Sequence, residues 1–145
     1  MHADQTKTVL FVDDEPWFNR GMIEELQDAG YRVINVSENG TRALERLESE
    51  QPVDLIVLDI MMPTGYRITD AKRGRRTGVK VAEYIRKEMG LTIPIVFLTV
   101  IEDEAVHSYL EKIEQEAGLE ASILVKPVGP LDLVEEVKRL IGDSV

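Results

Sequence analysis

Three almost uninterrupted apolar runs constrain the fold of this chain most. They are Val9–Val12, Leu55–Leu58 and Ile95–Leu98, and each is rich in β-branched residues. A strand with one wet face alternates polar and apolar residues, so unbroken runs indicate strands covered on both faces, as in the middle of a parallel sheet. With two further runs of this kind, the sequence predicts five strands: Val9–Val12, Val33–Val36, Val53–Leu58, Ile93–Leu98 and Ile123–Val125.

The segments between these runs carry apolar residues at the spacing of about 3.6 residues that is typical of amphipathic helices. Pro16 and Pro130 stand where helices would begin, and glycines follow the expected helix ends at Gly30, Gly90, Gly118 and Gly142. The apolar stripes are Phe18, Met22, Leu26; Ala43, Leu44, Leu47; Val81, Ile85, Met89; Val106, Leu110, Ile113, Ala117; and Val134, Val137, Ile141. Strands alternating with helices predict an α/β fold, an open doubly wound five-stranded parallel sheet of (βα)5 type. The 145 residues suit one domain, 1–145, with a core at about 8–141.

The amino-acid composition excludes several classes of function. The net charge of −10 opposes direct binding to nucleic acid, and the absence of cysteine excludes disulfides and thiolate chemistry. Apolar runs are too short for a membrane helix and the first residues lack a signal peptide, so we expect a cytoplasmic protein without membrane contact.

A basic stretch, Lys72–Arg76, lies within 64–77, which we interpret as an exposed loop. His107, in the predicted fourth helix, is expected to be a solvated surface residue.

The candidate site residues follow the first, third, fourth and fifth predicted strands. Asp13 and Asp14 follow the first, Asp59 the third, Thr99 the fourth and Lys126 the fifth. Because parallel strands end at one edge of the sheet, where ligands of such folds bind, these side chains are predicted to meet there.

Clustered carboxylates repel one another by about 4 kcal/mol per pair at 4 Å, so a cation is needed nearby. Lys126 and a divalent ion are the candidates, and Mg²⁺ suits one or two carboxylates together with phosphate and water. Calcium is a second choice, although no EF-hand loop is present. A carboxylate can also attack phosphorus to give an aspartyl phosphate. We therefore predict Asp59 as the nucleophile and Asp13 and Asp14 as metal ligands.

The whole arrangement resembles the receiver domain of bacterial response regulators. The similarity spans about residues 8–141 and rests on four motifs: Val12-Asp13-Asp14-Glu15, Leu58-Asp59-Ile60-Met61-Met62-Pro63, Leu98-Thr99 and Val125-Lys126-Pro127.

The resemblance implies a flavodoxin-like strand order 2-1-3-4-5 and a phosphoacceptor role for Asp59. It further implies Mg²⁺ held by Asp13, Asp14, Asp59 and the main-chain carbonyl of Met61. Thr99 would hydrogen-bond the phosphoryl group, Lys126 would pair with it, and Pro127 would follow a cis peptide bond. The chain would be a signalling module rather than an enzyme, apart from its own phosphorylation and dephosphorylation. Its partners would be a histidine kinase or phosphotransfer protein and either a downstream protein or an output domain.

The sequence departs from the family pattern at three places. The glycine that opens the third helix corresponds to Gly78, which implies an insertion of roughly ten residues that contains most of the basic stretch. The segment from Thr99 to Lys126 is longer than usual, near the fourth helix through which many receivers form homodimers. Ile123 stands where the family usually has Tyr or Phe, so an aromatic switch coupled to Thr99 is not expected.

Other phosphate-handling folds fit less well. A haloacid-dehalogenase-type phosphatase needs Asp-x-Asp after the first strand, where Glu15 takes the third position. A Toprim module needs Asp-x-Asp after the third strand, where Met61 stands. The alternative that stays open is a pseudo-receiver adaptor, which keeps the fold but signals without phosphorylation. A stand-alone receiver and a fragment of a longer regulator are equally compatible with the sequence.

Overall fold

A five-stranded parallel sheet forms the centre of the molecule. The computed structural model describes residues 6–13, 16–36, 40–49, 51–60, 77–99 and 104–144. The strands lie in the order β2-β1-β3-β4-β5, which confirms the strand order that the resemblance implied. They are β1 (Thr8–Val12), β2 (Arg32–Val36), β3 (Leu55–Asp59), β4 (Ile95–Thr99) and β5 (Ser122–Val125).

Helices cover both faces of the sheet. They are α1 (Pro16–Asp28), α2 (Gly40–Glu48), α3 (Thr77–Glu83), α4 (Glu104–Glu116) and α5 (Pro130–Ile141). Alternate residues of β1 show the two layers, since Leu10 and Val12 pack with α2, α3 and α4 while Val9 and Phe11 pack with α1 and α5. Every residue of β1, β3 and β4 is buried, which explains why their sequences are almost continuously apolar.

The predicted strands are found, but the third and fourth begin two residues later than predicted, at Leu55 and Ile95, and end one residue later, at Asp59 and Thr99. The helix starts are confirmed. Pro16 and Pro130 are the first residues of α1 and α5, as expected for residues whose missing N–H costs a helix nothing at its first turn. The fourth helix ends at Glu116, one residue before the predicted Ala117. Of the predicted exposed loop 64–77, residues 64–76 lie outside the described ranges, and Thr77 already belongs to α3. None of the helices in the described ranges is both long and apolar enough to span a bilayer.

The third helix differs from its prediction in one respect. The stripe Val81, Ile85 and Met89 predicts a single α-helix, but the α-helical hydrogen bonding stops at Glu83 and a π-helical segment follows at Tyr84–Glu88. In this π segment the neighbouring residues Ile85 and Arg86 are both buried. The apolar spacing gives no indication of this change. π-Helical segments are rare and occur mostly as single turns within α-helices.

Arg86 reaches across to α4 and forms a buried ion pair with Glu114. The Nε atom lies 3.1 and 3.2 Å from the two carboxylate oxygens, and Nη2 lies 3.0 Å from Oε2. Nη1 donates to the carbonyl of Leu91 at 2.8 Å, which fixes the turn after the π segment. Both side chains are only 2% exposed. This pair ties the π segment, the turn before β4 and α4 together.

The residues after α5 fold back onto the starts of β1 and β2 and form what we call the C-terminal clamp. Ser144 Oγ donates to the carbonyl of Gly30 at 2.7 Å and accepts from the Lys7 amide at 2.8 Å. Tyr31 donates to the carbonyl of Gly142 at 2.5 Å, and Lys7 Nζ donates to that of Ile141. Burial and the nearby charge of Asp143 raise the pKa of the Tyr31 phenol, so it stays a donor. Gly30 has φ 98°, and a Cβ there would lie 2.8 Å from the Ser144 carbonyl oxygen.

Candidate functional site

The polar residues at the strand ends meet at one edge of the sheet. Asp59 and Thr99 are the last residues of β3 and β4, and Asp13 and Lys126 directly follow β1 and β5. In the parallel register Val12 pairs with Leu58, Asp59 with Leu98, and Thr99 with Val125. Strands that are neighbours in the sheet therefore bring four of the predicted site residues side by side, as expected for residues at the ends of parallel strands.

These four side chains are almost completely buried. The exposed fraction is 1% for Asp13, 2% for Asp59, 4% for Thr99 and 9% for Lys126. Lys126 Nζ lies 3.0 Å from Asp13 Oδ2 and 3.7 Å from Asp59 Oδ2. Among the described residues, one ammonium thus faces two carboxylates, and these three side chains together carry a formal negative charge. Since burying charge costs several kcal/mol per ion, such a cluster contributes poorly to stability and points to a functional role.

Main-chain hydrogen bonds join the ends of β3, β4 and β5 at the site. The Lys126 amide donates to the Thr99 carbonyl at 2.6 Å, and the Ile60 amide donates to the Leu98 carbonyl at 3.0 Å. The Lys126–Pro127 peptide bond is cis, as the resemblance implied. The Lys126 ammonium is therefore set at a fixed distance from Asp59 by main-chain geometry and by its contact with Asp13.

Gly78 packs against the backbone beside Asp59. Its amide donates to the Ile60 carbonyl at 2.8 Å, and a Cβ at this position would lie 2.5 Å from the Ile60 Cα and closer still to the Asp59 carbonyl oxygen. The resemblance placed Gly78 at the opening of the third helix, but the sequence gave no sign of this close approach. Only glycine lets α3 begin so near to the end of β3.

Gly78→Ala is expected to lower the free energy of unfolding by about 1–3 kcal/mol, because the added methyl overlaps the Asp59–Ile60 backbone. Urea denaturation followed by circular dichroism measures the change. Gly21→Ala is the matched control, since the nearest atom to its Cβ would be Pro130 Cγ at an ordinary 3.7 Å. That control should gain about 0.5–1 kcal/mol from the better helix propensity of alanine. Equal effects of the two substitutions would contradict the close approach at Gly78.

The residues present suit a hard divalent cation. Asp13 and Asp59, two of the predicted ligands, lie together and offer carboxylate oxygens, the ligand type that Mg²⁺ takes. The other two predicted ligands, Asp14 and Met61, lie outside the described residues. Within the described part of the chain, no three His, Cys, Asp or Glu side chains are grouped so as to hold a metal ion.

Two further sequence predictions can be compared with the structure. Ile123, at the position of the family's aromatic residue, is half-buried, faces Phe97 across the β4–β5 pair and packs against the core under α3 and α4. His107 is not the solvated surface residue that we expected. Its Nε2 atom is buried and has no hydrogen-bond partner in the part of the chain that the structure describes.

Sequence reasoning missed the buried pair of Arg86 and Glu114. Both residues lie among other charged residues in their segments, and 28 positions separate them along the chain. A charged residue in such surroundings is usually solvated. The one feature of the sequence that could indicate burial of Arg86 is its position directly after Ile85, a residue of the predicted apolar stripe.

Comparison with known proteins adds the following matches. The family model described as the response regulator receiver domain matches residues 9–138. The chain is 31% identical over 141 residues to the alkaline phosphatase synthesis transcriptional regulatory protein PhoP of Bacillus subtilis (strain 168), covering 95% of this chain and 50% of PhoP. It is 29% identical over 135 residues to the response regulator receiver protein CpdR of Brucella abortus (strain 2308), covering 93% of this chain and 97% of CpdR.

Solved structures give the same picture. The chemotaxis response regulator CheY4 of Vibrio cholerae superposes with a TM-score of 0.69 at 26% identity, over 93% of this chain and 98% of that one. A CheY-like receiver domain protein from Methanospirillum hungatei JF-1 has a TM-score of 0.71 at 23% identity, over 92% of each chain, and shows the shared fold. The chain spans about half the length of several curated relatives, PhoP among them.

Proposed function

Since this chain belongs to the response regulator receiver domains, the signalling modules of two-component systems, we propose that it takes a phosphoryl group onto the carboxylate of Asp59. The observation that carries this proposal is the pairing of buried Asp59 with the Lys126 ammonium 3.7 Å away, at the edge where the strands end. The donor is a histidine kinase or a phosphotransfer protein.

In the proposed reaction, one carboxylate oxygen of Asp59 attacks the donor phosphorus. A new P–O bond forms, the bond from phosphorus to the donor's nitrogen breaks, and its electron pair stays with the departing imidazole. Such transfers depend on positioning and on neutralising the charge of the phosphoryl oxygens. Lys126 pairs with one of those oxygens, and the Thr99 hydroxyl donates a hydrogen bond to the group.

Asp13, Asp14, Asp59 and the main-chain carbonyl of Met61 are the proposed holders of Mg²⁺. When bound, the ion supplies positive charge that neutralises the phosphoryl oxygens. The buried carboxylates of Asp13 and Asp59, which lie together beside the Lys126 ammonium, support this choice.

The proposed unit is a single receiver domain over residues 1–145, with a core at about 8–141. Its only chemistry is its own phosphorylation and dephosphorylation at Asp59, since receiver domains are signalling modules and not enzymes with a turnover substrate. Its signal passes to a downstream protein or to an output domain, and homodimerisation through the α4 region is part of the proposal. Direct contact with nucleic acid is not part of the proposal, because the chain carries a net charge of −10 and would be repelled by the phosphate backbone. A cytoplasmic location, where a kinase would meet the domain, completes the proposal.

Incubation with acetyl phosphate tests this function against the pseudo-receiver alternative. With Mg²⁺ present, intact mass should show one added phosphate per chain, and with EDTA it should show none. Addition of Mg²⁺ alone should change the fluorescence of Trp17, the chain's single tryptophan, which lies four residues after Asp13. A pseudo-receiver adaptor would give neither response, and that result would reject the proposal.

Asp13→Asn is expected to weaken Mg²⁺ binding by about tenfold or more, because a neutral amide replaces a charged oxygen ligand of a hard ion. The Trp17 titration measures the dissociation constant. Asp28→Asn removes an equal charge from an exposed position at the end of α1 and should leave the titration unchanged. If Asp13→Asn instead binds Mg²⁺ as tightly as the wild type, Asp13 is not a ligand.

A further inference from the structure

A cavity of about 140 Å³ lies between α3 and α4, apart from the residues at the strand ends. It is lined by Val79, Lys80 and Glu83 of α3 and by Val106 and Tyr109 of α4. Val79 and Val106 are 5% and 8% exposed and form an apolar floor, whereas Tyr109 is 41% exposed and lies on the solvent side. An apolar cavity of about 150 Å³ in another protein holds one benzene ring, so this space suits a single branched or ring-shaped side chain.

Two opposite charges line the same cavity without neutralising each other. Lys80 and Glu83 are half-buried and stand three positions apart on α3, which places their Cβ atoms about 5–6 Å apart on one face. Within the described part of the chain, Lys80 forms no ion pair with Glu83 or with any other carboxylate. Glu83 instead accepts a hydrogen bond from Tyr109 Oη at 2.8 Å through Oε2. The Lys80 ammonium and the second carboxylate oxygen of Glu83, Oε1, can therefore both bind a ligand in the cavity.

This arrangement of charges selects one class of ligand. A simple anion would be repelled by Glu83 and by the net charge of −10, and a simple cation would be repelled by Lys80. A zwitterion avoids both penalties, because it can turn its carboxylate toward Lys80 and its ammonium toward Glu83. In an α-amino acid the two charged groups are attached to one carbon atom, and the side chain leaves that carbon in a different direction. An apolar side chain can then enter the apolar floor while both charges stay near solvent.

We propose that this cavity binds a free α-amino acid with an apolar side chain of about the size of leucine. The ligand carboxylate pairs with the Lys80 ammonium, the ligand ammonium donates to Glu83, and the side chain fills the space between Val79 and Val106. Tyr109 holds the Glu83 carboxylate in place through its hydrogen bond. The proposal does not depend on the phosphoacceptor function, since the lining residues are separate from the strand-end site.

Titration of the unmodified protein with L-leucine, followed by NMR of the valine methyl groups, tests the site. The methyl signals of Val79 and Val106 should shift and saturate with a dissociation constant of about 1 mM or lower. 4-Methylpentanoate lacks the ammonium and 3-methylbutylamine lacks the carboxylate, so each should bind about fivefold or more weakly than leucine. Glycine has both charges but no side chain and should give no saturable shift. Absence of a shift with leucine, or binding of either analogue as tight as that of leucine, would overturn the proposal.

Substitution of each charged residue identifies the ligand group that it binds. Lys80→Met should weaken leucine binding by about fivefold or more without weakening that of 3-methylbutylamine. Glu83→Gln should weaken leucine binding to a similar extent without weakening that of 4-methylpentanoate. Lys87→Met is the matched control, because Lys87 lies on the π segment with its side chain 47% exposed beside Glu116, and it should bind leucine like the wild type. Equal effects of the Lys80 and Lys87 substitutions would contradict a contact between Lys80 and the ligand.

Filling the cavity should abolish binding altogether. Val106→Phe should remove the leucine-induced shift at Val79, with circular dichroism showing that the fold is kept, and a folded variant that still binds leucine like the wild type would overturn the proposal. Ser108→Phe adds the same side chain on the exposed side of α4 and should leave binding unchanged. The competing occupant is an apolar side chain of a second copy, such as Leu131, which is 66% exposed. Sedimentation velocity should therefore show the same association state for the wild type and Val106→Phe. Self-association that Val106→Phe abolishes and leucine does not weaken would assign the cavity to a second copy and reject the amino acid.

Discussion

Asp59→Asn is expected to abolish phosphate uptake from acetyl phosphate, because the amide has no anionic oxygen to attack phosphorus. The fold should persist, since Lys126 keeps its 3.0 Å contact with Asp13 when the charge at Asp59 is lost. Intact mass after incubation with Mg²⁺ measures the uptake, and circular dichroism checks the fold.

The control for this substitution is Asp28→Asn, which removes one carboxylate from the surface and should take up phosphate like the wild type. A folded Asp59→Asn variant that gains phosphate at the wild-type rate would place the phosphoacceptor elsewhere. Uptake lost equally in both variants would mean that net charge, and not the carboxylate of Asp59, determines the reaction.

Arg86→Met is expected to lower the free energy of unfolding by about 3–5 kcal/mol, because it leaves the Glu114 carboxylate buried without its partner. Urea denaturation measures the loss. Arg20→Met is the matched control. It breaks the Arg20–Glu24 pair on α1, whose side chains are 82% and 60% exposed, and such surface pairs are worth about 0–1 kcal/mol.

The double variant Arg86→Met/Glu114→Leu distinguishes the effect of a buried unpaired charge from the effect of lost packing between the two side chains. Because apolar residues of similar size often replace a buried ion pair without loss, it should recover most of the stability that Arg86→Met loses. A double variant as unstable as the single one would mean that Arg86 acts mainly through its bond to the Leu91 carbonyl.

The sheet could be predicted because burial of its central strands on both faces produces their continuous apolar runs. Residues of β1, β3 and β4 are buried on both faces, so runs such as Val9–Val12 have no polar alternation, and parallel strands need helical connections. The meeting of Asp13, Asp59, Thr99 and Lys126 followed from the same fact, since the strands of a parallel sheet end together. For Asp14 and Met61, which lie outside the described residues, the assignment stays a prediction.

The unpredicted features depend on contacts between distant segments. Arg86 and Glu114 look like solvated charges in the sequence, and only the packing of the π segment on α4 buries them. His107 looked like a surface residue because neither its neighbours nor its spacing show that Nε2 is covered. The close approach of Gly78 to Asp59 likewise depends on where α3 begins relative to β3, which no local pattern records.

The C-terminal clamp makes the molecule suitable for circular permutation. The Lys7 amide lies 2.8 Å from Ser144 Oγ, so a short linker could join the two ends of the described chain without disturbing either. Both ends lie where the strands begin, and five-residue strands place that edge about 17 Å from the edge that carries Asp59. A reporter protein or surface tether attached beside Lys7 or Ser144 would therefore leave the edge that carries Asp59 free for the proposed kinase, and new ends could be opened in the exposed turn at Ser49.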